Sequence, residues 1–456
     1  MKYRSTRAQA EELPFMDAIL TGQAPDGGLF LPVELPNYSS KLESWRNLSY
    51  VDLAFEVMKE FANDIPEADL KEILHKAYDT FRHEKVTPLA PAGKNLILEL
   101  FHGPTLAFKD VALQFLGRLF DYILEKRDLK LNVLAATSGD TGSAAIYGLK
   151  DSERVHVFVM HPHNRTSRIQ ALQMCTVDQP NVHNIAVEGS FDDCQGMMKD
   201  IFNQLEFKKQ YDLGAVNSVN WGRLLAQTVY YFYAYFQATE KAGQKISFSV
   251  PTGNFGDIFA GFLASKMGLP IDKLYLATNE NDVLCRAFQT GLYKKGEVHH
   301  SVSPSMDIQL ASNFERYLFY RCGEDGNKLR ELMEEFKTKG ELHFPLDGCI
   351  IEALRCDTEM TLDTIKKYQS DYDYVLDPHT ATGVRVADEL APDEQIVCLA
   401  TAHSGKFPES IERACGAPLG NHPILDALKE KEMKYQVADA HTETIKNIIA
   451  ETLEQA

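Results

Sequence analysis

Long apolar runs and paired cysteines are both missing from this sequence. No apolar stretch reaches the roughly 18 residues that a membrane span requires, and the polar first residues lack the apolar core of a secretory signal. The eight cysteines are scattered and include no C-x-x-C pair, a spacing that fits neither a zinc ribbon nor a disulfide framework. We therefore expect a cytoplasmic protein with reduced cysteines.

The chain is also short of basic side chains. It has 47 lysines and arginines against 65 acidic residues, for a formal net charge of −18. That balance opposes non-specific attraction to nucleic acid and to anionic membranes, so we expect neither as a partner. An anionic small molecule would need a local basic pocket. The 456 residues, 44% of them hydrophobic, suffice for a large core and two or three domains.

Two common nucleotide-binding patterns are absent as well. The chain contains neither the G-x-x-x-x-G-K-[ST] string of a P-loop nor the G-x-G-x-x-G dinucleotide fingerprint. The second absence argues against a nicotinamide oxidoreductase. The histidines at 161 and 163 and at 299 and 300 lack the i, i+4 spacing of a helical metal site. We therefore expect no metal.

What the sequence does contain is an alternation of strand and helix patterns. Apolar runs predict strands at 96–100, 131–136, 155–160, 245–250, 274–278 and 396–401. Helical spacing predicts helices at 50–61, 111–124, 143–149, 229–236 and 257–267. This order is typical of an α/β fold with mainly parallel sheets. We predict two such lobes after an N-terminal extension, divided as residues 1–94, 95–230 and 231–456.

Residues 101–110 join a predicted strand to a predicted helix and place Lys109 at the start of that helix. Its neighbours Ala107 and Phe108 would partly desolvate the amine. Desolvation lowers the pKa of an amine and makes it a better nucleophile. An ordinary solvated lysine at a helix start is the alternative.

Two loops rich in small residues, 137–143 and 251–257, each follow a predicted strand and precede a predicted helix. Such loops present backbone N–H groups at a helix N-terminus, where anions bind. Ser138 and Thr141 add hydroxyl donors to the first loop, and the glycines of the second allow close approach of a phosphate. A helix cap in the first loop and a plain turn in the second remain alternatives.

The segment 217–223 collects amides, a hydroxyl and a guanidinium group within seven positions. Arg223 suits bidentate recognition of phosphate or carboxylate. This is the local basic site that an anionic substrate of an acidic protein would need. The alternative is a surface arginine beside a polar turn.

The order and spacing of these motifs resemble the threonine synthases, a family of fold-type II pyridoxal-phosphate (PLP) enzymes. The resemblance covers nearly the whole chain and fits best the longer branch of enterobacteria and fungi, through the strings 3–7, 26–30, 187–195, 312–316, 377–381 and 401–403. It implies the fold of the tryptophan synthase β subunit. It also implies a carbon–oxygen lyase that makes L-threonine and phosphate from O-phospho-L-homoserine and water, the last step of threonine biosynthesis.

The resemblance further implies roles for individual residues. Lys109 would bind PLP covalently, Asp140 would lie near the ring hydroxyl, and Thr401 would face the ring nitrogen. The cofactor phosphate would be held by Gly253, Asn254, Phe255 and Gly256. The substrate carboxylate would be held by Ser138 and Thr141, and the substrate phosphate by Asn217, Ser218 and Arg223.

Two segments, 160–167 and 401–407, depart from the usual family strings and leave their loop geometry open. The rivals are a threonine or serine dehydratase, a cysteine-synthase-like β-replacement enzyme, and a non-catalytic relative that binds a phosphate ligand. The long N-terminal region and the 217–223 segment favour threonine synthase over the first two. The intact Lys109 and glycine-rich loop argue against the third. We expect a monomer or a homodimer.

Overall fold

The computed structural model describes residues 1–455 of the chain. Two compact units are present, and neither is one continuous stretch. Unit 1 comprises residues 1–112 and 218–420, and unit 2 comprises residues 113–217 and 421–455. The sequence-based division at residues 94 and 230 does not follow these units, and it stays a prediction.

The strands and helices alternate along most of the chain. The strands are β1 (Tyr3–Ser5), β2 (Phe30–Pro32), β3 (Leu89–Ala92), β4 (Asn95–Glu99), β5 (Leu131–Ala136), β6 (Val155–Pro162), β7 (Val182–Glu188), β8 (Leu213–Gly214), β9 (Ile246–Pro251), β10 (Ile271–Thr278), β11 (Leu292–Lys294), β12 (Glu341–His343), β13 (Ile351–Arg355), β14 (Val397–Ala400) and β15 (Gln436–Asp439). The α-helices are α1 (Phe15–Thr21), α2 (Leu42–Trp45), α3 (Tyr50–Met58), α4 (Glu67–Tyr78), α5 (Lys109–Arg127), α6 (Asp140–Leu149), α7 (Arg168–Cys175), α8 (Phe191–Asn203), α9 (Leu205–Gln210), α10 (Trp221–Ala238), α11 (Gly256–Lys266), α12 (Val283–Thr290), α13 (Phe314–Arg321), α14 (Gly326–Lys339), α15 (Thr358–Tyr372), α16 (Pro378–Leu390), α17 (Pro408–Cys415), α18 (Pro423–Leu428) and α19 (Thr442–Gln455).

Unit 1 is built on a six-stranded sheet with the order β13-β10-β9-β14-β4-β3. Neighbouring strands are parallel except β3 and β4. Every residue of β9 is buried, as is usual for a parallel strand covered on both faces. Helix α16 packs against β9, β10 and β14, and its Val384 and Ala387 lie in the core on that side.

The N-terminal residues form part of unit 1. Strands β1 and β2 pair antiparallel, and α3 packs against α4 and α10. Ser49 caps α3, because its hydroxyl accepts a hydrogen bond from Asp52 N at 3.1 Å. Tyr50, the first residue of that helix, contacts the rings of Tyr78 and Tyr233 with centroids 4.9 and 5.2 Å apart. The extension is therefore packed into the aromatic core of unit 1.

Unit 2 contains a five-stranded, all-parallel sheet with the order β15-β7-β6-β5-β8. Its outer strand β15 and helix α19 come from the end of the chain. The buried Ala438, Ile445 and Ile449 of that terminal segment share a core with Ile185 and Val187 of β7. Residues 436–455 therefore complete a sheet that begins near residue 131.

The predicted fold class is confirmed, because the six-stranded and five-stranded sheets are mainly parallel and helices separate most of their strands. Strand β5 occupies the predicted residues. The main difference is α10, which begins at Trp221 rather than near residue 229. Asn220 caps it by accepting a hydrogen bond from Gly222 N at 2.9 Å, so the segment 217–223, for which a polar turn was the alternative, is partly helical. Within residues 1–455, no helix has the length and apolar character needed to cross a membrane.

Candidate active site

Three loops at one edge of the unit 1 sheet carry predicted site residues. Strands β9, β14 and β4 are consecutive parallel neighbours, so their carboxyl ends meet at the same edge. Strand β9 leads to the loop with Gly253, β14 leads to Thr401, and β4 leads to the turn before Lys109. Three segments that are far apart in the sequence thus meet in unit 1.

Lys109 is the first residue of α5. Only 9% of the residue is exposed, and its Nζ lies 5.1 Å from the centroid of the Phe108 ring. The turn before it needs a glycine at position 103, because a Cβ there would come within 2.3 Å of Asp110 Cβ. Lys109 is therefore a buried lysine and not the solvated lysine that the sequence also allowed.

Asp110 fixes the turn that presents Lys109. Its carboxylate accepts hydrogen bonds from Thr105 N at 2.7 Å and from Thr105 Oγ1 at 2.8 Å. The buried Lys406 donates from Nζ to the Thr105 carbonyl at 2.8 Å. Burial raises the pKa of Asp110 to about 6, and the donors from Thr105 only partly offset that effect. The side chains of Asp110 and Lys406 therefore both form hydrogen bonds with Thr105 in the turn before Lys109.

Thr401 lies beside this turn. Phe108 N donates a hydrogen bond to the Thr401 carbonyl at 2.8 Å, and Ala107 forms an antiparallel bridge with Ala402. Thr401 itself is 7% exposed. The residue before Lys109 is thus joined directly to the predicted partner of the cofactor ring nitrogen.

The loop of residues 251–257, here called the glycine loop, connects β9 to α11. Phe255 has a φ of 65°, a left-handed conformation that is strained for a bulky residue and typical of functional sites. No residue among 1–455 accepts a hydrogen bond from the backbone N–H groups of positions 253–256. A Cβ at position 253 would lie 2.7 Å from the carbonyl oxygen of Ser305. Unpaired N–H groups at the start of an 11-residue helix form a site for an anion.

A chain of hydrogen bonds links Thr401 to the glycine loop. Thr401 N donates to Thr380 Oγ1 at 3.2 Å, and the Thr380 hydroxyl donates to Asp377. Asp377 Oδ1 and His379 Nδ1 are 2.9 Å apart, and Ser305 N donates to His379 Nε2 at 3.2 Å. Since Ser305 faces the glycine loop, this chain connects the segment beside Lys109 with the proposed phosphate cradle.

Arg223 lies in the first turn of α10 and is 5% exposed. Its Nη1 has no hydrogen-bond acceptor among residues 1–455, and burial lowers the pKa of its guanidinium to about 10. A buried cation with an unpaired donor is costly unless an anion completes it. The alternative of a surface arginine beside a turn is therefore wrong.

The segment before Arg223 contains the other two predicted phosphate ligands. Ser218 is half-buried, and its hydroxyl lies 2.9 Å from Ser312 Oγ. Asn217, also half-buried, is the last residue of the first stretch of unit 2. Ser218 and Arg223 both belong to unit 1.

The remaining predicted residues lie in unit 2, in the loop between β5 and α6. Thr137 Oγ1 accepts hydrogen bonds from the N–H groups of Gly139 and Gly142, both at 3.0 Å. This leaves Ser138 exposed and Thr141 half-buried. The buried Asp140 accepts a hydrogen bond from Gln170 Nε2 at 2.9 Å. Gly139 occupies the cap position of α6 without a side-chain cap, but Thr137 satisfies the Gly142 N–H of the first turn, so the cap alternative holds for Thr137 and not for Ser138.

The donor set of unit 1 fits PLP, the cofactor implied by the resemblance. A phosphate ester needs the unpaired N–H groups that the glycine loop supplies. A cofactor aldehyde needs a buried amine, which is the environment of Lys109. Thr401 offers a hydroxyl from the neighbouring strand end. Lys406 adds a positive charge beside the turn that presents Lys109, and Arg223 adds a buried one in the same unit.

Some residues of this region had no role assigned from the sequence. Asn313 and Arg316 of the string 312–316, and His379 of the string 377–381, make hydrogen bonds that tie the site loops together. Their presence in those strings was the one signal that could have found them. No group of three or more His, Cys, Asp or Glu side chains suited to a metal occurs within residues 1–455.

Models of protein families match almost the whole chain. The family described as "Threonine synthase N terminus" matches residues 2–78, "Pyridoxal-phosphate dependent enzyme" matches 81–402, and "Threonine synthase, C-terminal" matches 380–449. The threonine synthase of Pseudomonas aeruginosa is 48% identical over 94% of this chain and 92% of its own length. That of Saccharomyces cerevisiae is 44% identical over 99% of this chain and 98% of its own length.

Solved structures give the same answer. A PLP-bound threonine synthase from Brucella melitensis has a TM-score of 0.96 and 42% identity over 99% of both chains. Threonine synthase from yeast has a TM-score of 0.93 and 41% identity over 100% of this chain and 99% of its own. A serine racemase from maize, at 14% identity and a TM-score of 0.53, shares the fold alone.

Proposed function

The chain belongs to the threonine synthase family of PLP-dependent enzymes, and we propose that it converts O-phospho-L-homoserine and water to L-threonine and phosphate. One observation carries the proposal most directly. The buried Lys109, Thr401 and the glycine loop follow three adjacent parallel strands of unit 1. Such a meeting of strand ends is where α/β proteins bind their ligands.

We assign the cofactor contacts as follows. Lys109 Nζ binds the cofactor covalently, and the N–H groups of positions 253–256 bind its phosphate. Thr401 would face the ring nitrogen, and Asp140 would lie near the ring hydroxyl. When bound, PLP supplies an electron sink that acidifies the Cα–H and Cβ–H bonds of an amino acid. The burial of Lys109 and the unpaired N–H groups of the glycine loop support the first two assignments.

Lys109 has a second task in this account, which is to move protons. We assign Lys109 Nζ as the general base that would accept the proton from the substrate Cα. The turn fixed by Thr105, Asp110 and Lys406 holds the start of α5 while Nζ performs both tasks.

Thr401 distinguishes this site from one with an acidic partner at the ring nitrogen. Thr401 would offer the ring nitrogen a neutral hydroxyl, whereas an acidic side chain would place a negative charge there. The burial of Thr401 and its backbone bond with Phe108 support this assignment.

The substrate has two anionic ends, and we assign them to different groups. Arg223, Ser218 and Asn217 bind the phosphate that leaves, and Ser138 and Thr141 bind the α-carboxylate. The unpaired Nη1 of the buried Arg223 supports the phosphate site, because phosphate oxygens are good acceptors for a guanidinium donor. An anionic substrate would then neutralise a charge that the folded protein otherwise buries alone.

The activity is tested by incubating the purified, PLP-loaded protein with O-phospho-L-homoserine. We expect L-threonine and inorganic phosphate in equal amounts. Threonine, serine and O-acetylserine serve as alternative substrates in parallel, since they separate this activity from a dehydratase or a β-replacement enzyme. Faster turnover of any of these than of O-phospho-L-homoserine would overturn the proposal. We also propose a cytoplasmic enzyme that acts as a monomer or homodimer without nucleic-acid or membrane partners.

A further inference from the structure

The segment Ser312–Arg316, at the start of α13, touches parts of unit 1 that are far apart in the sequence. Glu315 receives hydrogen bonds from Thr6 Oγ1 and from Arg7 Nη2, both at 2.7 Å. Arg316 donates to the Phe30 carbonyl from Nε at 3.1 Å and from Nη2 at 3.0 Å. Residues of both N-terminal strings, 3–7 and 26–30, therefore form hydrogen bonds with this one segment.

Asn313 faces the two anion-binding segments from the same position. Its Nδ2 donates to the Ser218 carbonyl at 3.0 Å and to the Asn254 carbonyl at 3.3 Å. Its backbone N–H also donates to the Asn254 carbonyl, at 3.0 Å. Ser218 belongs to residues 217–223, here called the substrate-phosphate segment, and Asn254 belongs to the glycine loop. One fully buried amide thus bridges the backbones of both.

Arg316 fixes the direction in which that amide points. Its Nη1 donates to Asn313 Oδ1 at 2.6 Å and its Nη2 donates to the Val219 carbonyl at 2.6 Å. Because the guanidinium occupies Oδ1, the amide nitrogen must face the two carbonyl oxygens. Arg316 is fully buried, and burial lowers the pKa of its guanidinium to about 9. A buried cation bound to neutral acceptors is costly, which indicates a task beyond packing.

We propose that Asn313 is a positioning residue that sets the separation between the glycine loop and the substrate-phosphate segment. This inference rests on the proposed function, which assigns the cofactor phosphate to the first and the substrate phosphate to the second. The carbonyls of Ser218 and Asn254 share one donor, so neither segment can move without breaking a bond to the same amide. A fixed separation matters because misplacement by about 1 Å can reduce a rate by about 100-fold.

Ser312 provides a contact that affects only one of the two segments. Its hydroxyl meets the Ser218 hydroxyl at 2.9 Å. Removing it changes the substrate-phosphate segment and leaves the bonds of Asn254 in place. Asn95 provides a matched control, because its buried amide donates to Tyr368 Oη at 3.0 Å and to Asp388 Oδ1 at 2.8 Å, away from the site loops.

The test compares Asn313→Ala, Ser312→Ala and Asn95→Ala with the wild type in the full-length protein. The PLP dissociation constant is measured by absorbance titration, the KM and kcat with O-phospho-L-homoserine, and the melting temperature by calorimetry. For Asn313→Ala we expect a rise of about tenfold or more in KM and of about threefold or more in the PLP dissociation constant, together with a lower kcat because the separation is no longer fixed. The backbone bond to Asn254 remains, so the cofactor effect is the smaller one.

For Ser312→Ala we expect a rise of about threefold in KM alone. For Asn95→Ala we expect a lower melting temperature with KM and cofactor affinity unchanged. The proposal is overturned if Asn313→Ala behaves like Asn95→Ala, or if it changes only one of the two affinities. Should Asn313→Ala fail to fold, Asn313→Asp keeps the acceptor for Arg316 but loses the donor, and the same two affinities must fall. A wild type without O-phospho-L-homoserine turnover would instead refute the proposed function.

Discussion

Several buried side chains of unit 1 keep unpaired polar atoms, and two of them, Arg223 at Nη1 and Asp257 at Oδ2, lie next to the segments of the candidate site. Charged groups in this condition lower stability and tend to be found where proteins bind ligands. Asp257 lies in the first turn of α11, directly after the glycine loop. Its Oδ1 accepts hydrogen bonds from Tyr230 Oη at 2.5 Å and Tyr231 Oη at 3.1 Å. Each residue leads to a separate prediction.

Arg223→Met keeps a long side chain and removes the charge. Because Arg223 carries a buried, unpaired donor, we expect the variant to be at least as stable as the wild type in calorimetry. We also expect the KM for O-phospho-L-homoserine to rise by an amount equivalent to about 2–5 kcal/mol, since the substrate phosphate loses its partner. A variant with unchanged KM would place the anion site elsewhere.

Asp257→Asn tests the effect of burial on stability at different pH values. Burial raises the pKa of Asp257 from 3.8 to about 7, so between these values the folded protein binds a proton that the unfolded chain has lost. The free energy of unfolding of the wild type therefore falls as the pH rises from about 4 to 7, and this contribution is then constant. Relative to the wild type, we expect Asp257→Asn to gain stability over that range by up to about 4 kcal/mol. Urea unfolding of both proteins at several pH values measures the difference, and parallel curves would contradict it.

At the scale of the element, the strands were the most predictable part of the fold. Runs such as 131–136 are almost wholly apolar, and the sequence pattern located them correctly. The start of α10 was missed because Asn217, Ser218 and Asn220 favour turns and caps as much as helices. The sequence pointed to Lys109 and the glycine loop because both lie in segments that follow predicted strands, whereas Thr401 was named only through the family resemblance. The roles of all three stay predictions. The hydrogen bonds of Asn313 and Arg316 could not be predicted, because their partners lie up to 286 residues away in the sequence.

Gly253→Ala tests the shape of the glycine loop. The added Cβ would lie 2.7 Å from the Ser305 carbonyl, so the loop or the 304–306 turn must shift. We expect the PLP dissociation constant, measured by absorbance titration, to rise by about tenfold or more.

Gly196→Ala is the control for that variant. Gly196 lies in α8, and a Cβ there would meet nothing within 4 Å. We expect it to stabilise the protein by roughly 0.5–1 kcal/mol and to leave PLP affinity unchanged. Equal PLP affinity in both variants would show that the loop does not cradle the cofactor phosphate.

At the scale of the whole molecule, the course of the chain between the two units could not be predicted. The sequence patterns predicted neither β15 nor α19, and local patterns contain no information on which sheet receives such a segment. The partner of β15 is β7, about 250 residues earlier. Ile445 and Ile449 of α19 pack into the core next to β7. The sequence does not show that this core, and not another apolar surface, receives them. The terminal segment is therefore a structural part of unit 2.

Ile449→Ala tests this role of the terminal segment. Ile449 is fully buried in the core that α19 shares with β7, so we expect a loss of about 2–5 kcal/mol in the free energy of unfolding. Leu205→Ala, at a side chain that is 73% exposed, should change it by less than about 0.5 kcal/mol. Denaturant unfolding of both variants decides the matter, and equal small losses would mean that α19 contributes little to the fold.

The central claim is that Lys109 carries the cofactor, and peptide mapping tests it most directly. The PLP-loaded protein is treated with borohydride, digested and examined by mass spectrometry for a lysine with a reduced pyridoxyl phosphate group. We predict a single modified lysine at position 109 and no modification in Lys109→Ala. Modification of Lys406, the other buried lysine of this region, or of no lysine in the wild type, would contradict the account.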